Sequence, residues 1–199
     1  MVLAIECVVI TILLLRTATT DPWRKKVWCW IFTLLAISSF LGALAHGLTL
    51  PDYINAALWK PLYLSNGILV ALFFIGAVAD LRFRTLAQRL TSWSIGVGAV
   101  FFGITEFISG TFTVFLAYEA IALVSTLPIY AFLSTTSRLR GAGVITLGIL
   151  LSLMAAGLQA STISLHLLLP FDHNGAFHLA QILSTVALGL GAYLAIKAD

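Results

Sequence analysis

The chain has 199 residues, 60% of them hydrophobic and only 10% charged, whereas a soluble domain carries about 25% charge. That balance excludes a water-soluble globular protein and defines a polytopic protein of the lipid bilayer. The net charge of +3 comes from loop lysines and arginines, so it speaks to membrane topology and not to a nucleic-acid partner.

The first span, residues 2–16, is apolar from Val2 to Leu15, ends at Arg16 and is followed by Arg24, Lys25 and Lys26. A cleavable signal peptide carries its positive charge before the apolar core. The reverse order here reads as a first transmembrane helix with its N-terminus outside. A second span, residues 27–48, opens with Trp28 and Trp30 and ends in Ser38, Ser39, Gly42 and His46. A third, residues 57–79, carries Lys60, Tyr63 and Asn66 early and stops before Asp80, Arg82 and Arg84. Lys60, beside Trp59, reads as an interfacial side chain that snorkels to water. The fourth span, residues 89–107, ends at Glu106, and the fifth, residues 112–133, carries Tyr118, Glu119 and Pro128. The sixth, residues 142–160, ends near Gln159, and the seventh covers residues 174–196. His166 and His173 lie between these last two and His178 at the start of the seventh, so three of the four histidines cluster close to Asp172. Cys7 and Cys29 are too few and too far apart for a disulfide framework or a thiolate metal site. They read as small buried hydrophobes.

Seven spans use almost the whole length as one all-α transmembrane domain. Basic residues follow the odd-numbered spans and avoid the loops after the fourth and sixth, so the positive-inside rule places the N-terminus outside and the C-terminus in the cytoplasm. Glu6, His46, Lys60, Tyr63, Asn66, Glu106, Tyr118, Glu119, Gln159, His166, Asp172, His173, His178 and Gln181 then all fall in the outer half of their spans. At 1.5 Å per residue they lie within roughly 10 Å of the outer surface. The inner halves read as almost purely apolar. Spacing refines this picture: Asn174, His178, Gln181 and Thr185 share one face of the seventh helix, and Ser39, Gly42 and His46 one face of the second. Asp172 stands where an N-cap would, with the seventh helix beginning just after it.

Ionisable groups inside a membrane are costly, and such a layer marks a functional site. One reading is a metal centre. His46 and His178 with His173 or His166 supply an imidazole set, while Glu6, Glu106 or Asp172 could be a further ligand, an orienting group or a general base. The competing reading is structural: the same groups hydrogen-bond between helices as polar glue.

The segments Gly42-Ala43-Leu44-Ala45-His46-Gly47-Leu48, Leu58-Trp59-Lys60, Gly141-Ala142-Gly143, Leu165-His166, Phe171-Asp172-His173-Asn174, His178 and Gln181-Ile182 resemble an uncharacterised family of bacterial seven-helix membrane proteins. That arrangement is in turn similar to the CREST superfamily of alkaline ceramidases and progestin/adipoQ receptors. The resemblance implies a bacterial inner (plasma) membrane protein, with His46 and His178 at the positions of zinc-binding histidines. It departs from the superfamily at Asn174, where the first histidine of an H-x-x-x-H ending at His178 would stand, and at Gly42, where a serine would. The third helix offers Asn66 in place of an aspartate.

The leading expectation is therefore a zinc-dependent membrane hydrolase of a lipid amide or ester. Zinc would sit on His46, His173 and His178, with Glu6 or Asp172 as base and an acyl chain in the apolar inner half of the bundle. The alternatives are a non-enzymatic accessory or electron-transfer subunit holding haem b between His46 and His178, with Gly42, Ala43, Gly47 and Gly175 making room, and a small transporter or sensor whose histidines titrate. The seventh span has no lysine before Lys197, which speaks against a retinal pump. The sequence leaves room for an oligomer or a larger membrane complex.

Overall fold

The computed structural model describes residues 1–108, 111–161, 165–166, 170–171 and 173–197, with the side chains of 111, 165, 166, 170, 171 and 173 outside that description. Its helices are α1 (Val2–Arg16), α2 (Pro22–Gly47), α3 (Asp52–Leu81), α4 (Arg84–Leu90), α5 (Trp93–Phe107), α6 (Thr111–Thr135), α7 (Ala142–Gln159) and α8 (His173–Ile196). The described residues add one short antiparallel ladder between α7 and α8, β1 (Leu165–His166) on β2 (Pro170–Phe171), in which His166 pairs with Pro170.

α2, α3, α6, α7 and α8 are each long and apolar enough to cross a membrane. The expected fourth span, by contrast, is broken. α4 and α5 meet at a 51° bend and pass as a sixth span only when taken together. The reason is local: α4 carries Arg84, Gln88 and Arg89, and at the junction the side chains of Thr91 and Ser94 bond to the carbonyls of Ala87 and Thr91, which favours a bend. α1, at 15 residues, rises roughly 22 Å.

The helices close a circuit in which α1 packs on α2, α2 on α3, α3 on α6, α6 on α7, α7 on α8 and α8 back on α1, with α5 laid against α3. Small residues set the closest approaches, as expected where lipid offers no hydrophobic drive between helices. A Cβ on Gly98 of α5 would stand 2.8 Å from the Ile68 nitrogen of α3, and one on Gly148 of α7 only 3.0 Å from the Leu188 nitrogen of α8. Ser184 of α8 is wholly buried and reaches both the Gly148 carbonyl (2.9 Å) and the Ser152 hydroxyl (2.6 Å) of α7. Apolar side chains of α1 such as Ile5, Val8, Ile12 and Leu15 face outward, where a bilayer would cover them.

The end of the bundle that joins α2 to α3 and α6 is not purely apolar. Asp80, on the last turn of α3, has a side chain 2% exposed and accepts hydrogen bonds from Arg24 Nε at 2.7 Å and from the Tyr130 hydroxyl at 3.2 Å. Arg24 Nη1 also reaches Asp21 (2.9 Å) and the Ala195 carbonyl of α8 (3.4 Å). Asp21 caps α2 through the Arg24 amide and receives the Arg84 guanidinium, which lies over the Trp23 ring. This clasp ties α2, α3, α4, α6 and α8 together. Residues read as loop charges thus fold together as a paired set at this end of the bundle.

Candidate functional site

At the opposite end, five helices surround one cavity of about 380 Å³. α1 begins there, α2 ends there, and α3, α6 and α8 contribute their early turns. The alternation of direction along the chain thus brings distant sequence positions to one depth. The wall includes Ser38, Ser39, Gly42 and His46 from α2, Tyr63 and Asn66 from α3, Glu119 from α6, and Asn174, His178 and Gln181 from α8. Met1, Val2, Leu3, Leu35, Leu62, Phe112, Phe115 and Ile182 supply its apolar part. The described wall carries no lysine or arginine, and its one carboxylate is Glu119.

Each polar group is positioned by its own helix. His46 stands one residue before the end of α2 and its ring meets Trp59 edge-on, with centroids 5.2 Å apart. Trp59 in turn stacks on Tyr63 and donates its indole N–H to Asn55 Oδ1 at 2.9 Å, while Asn55 Nδ2 donates to the Ala45 carbonyl at 2.9 Å. This chain of contacts pins the α2–α3 corner and with it the imidazole. The sequence reading passed over Asn55; its signal was the spacing to Trp59, four residues on and so on the same helical face. The Tyr118 hydroxyl, bonded to the Gly67 carbonyl at 3.0 Å, ties α6 to α3 beside Glu119. His178 is exposed towards the mouth, with its ring against Phe177.

Of the residues singled out from sequence, Ser39, His46, Asn66, Glu119, Asn174, His178 and Gln181 share this cavity. Glu106 does not: it pairs with Lys60 Nζ at 2.9 Å on the α3–α5 surface, so Lys60 has a partner and is more than a snorkelling side chain. Gln159, at the end of α7, lies off the lining, and its buried carbonyl oxygen has no hydrogen-bond partner among the described residues. Glu6 stands one turn of α1 below the lining residues Val2 and Leu3, its carboxylate oxygens likewise buried and unpartnered. Asp172 lies outside the described residues, as do the side chains of His166 and His173.

As a donor set for zinc, two imidazoles on one cavity, His46 and His178, are of the right chemistry. Zinc needs a third protein donor, and among the described residues no three His, Cys, Asp or Glu side chains stand close enough to hold an ion. A third donor would come from His173, His166 or Asp172, whose side chains lie outside the described residues. Without a metal the cavity is a polar recess under apolar walls.

Long apolar helices packed through small residues, with the ionisable side chains gathered at the two ends, are the architecture of an integral membrane protein. The chain belongs to a family of unknown function, DUF6962, which it matches over residues 1–197. No curated protein and no solved structure matches it.

Proposed function

We propose that the chain crosses a bacterial inner membrane seven times, with its N-terminus outside, and admits the head of an acyl-bearing lipid into the cavity among α1, α2, α3, α6 and α8. The observation that carries this reading is the convergence of His46, Asn66, Glu119, His178 and Gln181 from four helices on one apolar-walled cavity. The topology is supported by the clasp end, where Arg24, Lys25, Arg84 and Lys197 lie on the side opposite the cavity. α1 serves as a short span, helped by its flanking residues and by local thinning of the bilayer.

The chemistry, on the pattern the resemblance implies, is hydrolysis of a lipid amide or ester. His46 and His178 would hold zinc together with His173, and the ion would polarise the carbonyl and activate water. The residues of the chain itself bind and orient the substrate: Asn66, Asn174 and Gln181 offer amide groups to the head, and Leu35, Leu62 and Ile182 meet the first methylenes.

Metal analysis of the purified full chain tests this, together with hydrolysis of a fluorescent acyl amide and an acyl ester. One zinc per chain, lost together with hydrolysis in His178→Ala, is the expected result. Metal far below one per chain, or intact hydrolysis in the variant, overturns the zinc hydrolase. A Soret band in the purified protein would turn the reading to haem on the same two histidines.

A further inference from the structure

Below the cavity, α1 and α8 run side by side in the same direction. Their register follows from two contacts. Val2 and Leu3 share the cavity wall with Gln181 and Ile182, and about two turns further along, Ile10 packs against Gly189, so closely that a Cβ there would meet it at 2.7 Å. The layer between these contacts belongs to Glu6, four residues before Ile10, and to Thr185, four before Gly189. Residues so spaced share a helical face, so Glu6 and Thr185 stand in one stratum of the α1–α8 interface with Gln181 at its upper edge.

That stratum holds buried oxygens without partners among the described residues. Both Glu6 carboxylate oxygens, Gln181 Oε1 and Thr185 Oγ1 are closed to solvent and have no hydrogen-bond partner among the described residues. Thr185 is 0% and Gln181 7% exposed. Unsatisfied buried polar groups call for a water, an ion or a functional role, and a carboxylate in a membrane bundle normally faces a positive partner. Glu6 enters none of the ion pairs among the described residues. The next basic residue on its own helix, Arg16, is ten positions on, roughly 15 Å away along the axis. A proton on Glu6 and the hydrogen of the Thr185 hydroxyl could each serve one acceptor, but no such bond is formed among the described residues. A small cation satisfies several oxygens at once, and hard cations prefer such oxygen donors. One carboxylate and two neutral oxygens carry a single negative charge, which one monovalent ion cancels; a divalent ion would leave net charge buried.

We propose that Glu6, Gln181 and Thr185 form a binding site for a monovalent metal cation, sodium, one helical turn beneath the cavity. Bound there, the ion joins α1 to α8 and fixes the side of the cavity that Gln181 lines. The inference does not depend on zinc or on hydrolysis.

The test is thermal unfolding of the purified full chain in detergent, titrated with sodium chloride against choline chloride at constant ionic strength. The expected result is a saturable rise in the midpoint of ~5 °C with sodium and none with choline. Glu6→Gln abolishes the rise. Thr185→Val weakens the apparent sodium affinity about tenfold, while Thr185→Ser, which keeps the oxygen, restores it; this pair decides the matter if Glu6→Gln does not fold. Equal midpoints in sodium and choline, a sodium response that survives Glu6→Gln, or an apparent sodium affinity unchanged in Thr185→Val, overturns the proposal. Retention of a bound lipid, read by native mass spectrometry in parallel, separates failure of the cation site from failure of the lipid cavity.

Discussion

Removing Arg24 tests whether the clasp at the end opposite the cavity holds the bundle together. Arg24 donates to three groups on three elements: Asp80 on α3, Asp21 at the head of α2 and the Ala195 carbonyl on α8. Its loss has unequal consequences for them. Asp21 keeps Arg84 and a half-buried position, so little changes there. The Asp80 side chain, 2% exposed, keeps only the Tyr130 hydroxyl at 3.2 Å. Stranding one charge of a buried pair costs about 3–5 kcal/mol, which for a chain of this size is roughly 10 °C in the unfolding midpoint. Arg24→Ala is therefore expected to lose that much in a thermal melt of the detergent-solubilised protein. Arg24→Lys should fall between, because an ammonium keeps the charge but not the planar fork of donors. In the double variant Arg24→Leu, Asp80→Leu, most of the loss is recovered, since no charge is left unpaired. A single variant within ~1 kcal/mol of the native chain, or a double variant no better than Arg24→Ala, would refute the reasoning.

Three further outcomes follow from packing and charge. Gly98→Ala pushes a methyl group against the Ile68 backbone at 2.8 Å and should destabilise α5 against α3 by about 1–3 kcal/mol, measured by chemical denaturation. Ser184→Ala removes the bonds to Gly148 and Ser152 and should cost about 1–3 kcal/mol, because a buried acceptor loses its donor. Partial burial works against the Asp21 carboxylate, but the hydrogen bonds from Arg84 and the Arg24 amide, and both positive charges, outweigh it and hold its pKa below the ordinary value of 3.8. A carboxyl whose native pKa is depressed stabilises the fold above its unfolded value and loses that contribution as pH falls through the native one. Melting midpoints followed downward from pH 5 should thus drop in the native chain and drop less in Asp21→Asn.

The helical, membrane-embedded character of the chain, the ends of most helices and the depth of the polar layer were legible without coordinates. Apolar runs of about 20 residues, the side of the loop charges and the 3.6-residue period are local properties of the sequence. On those grounds Ser39, Gly42 and His46, and Asn174, His178 and Gln181, were placed on the faces that line the cavity. The break between α4 and α5 was not legible in the same way, because a run of apolar residues after Arg89 does not reveal where the helix axis bends.

What only the tertiary structure decided is which polar residues meet. Glu106 and Glu119 both fall in the expected outer layer, yet Glu106 pairs with Lys60 outside the bundle while Glu119 lines the cavity. Depth is read from position along a span; the direction a side chain points around the axis depends on which helix lies beside it. Asp80 and Arg24 read as loop charges for the same reason, since pairing across 56 positions becomes visible only once α2 and α3 pack. The sequence by itself determined the solvent this chain is built for and the layer in which its polar groups lie. The packing of the helices sorted those groups into an inner clasp, a cavity wall and a buried set of unpaired oxygens, because partnership between side chains belongs to neighbouring helices and not to any one of them.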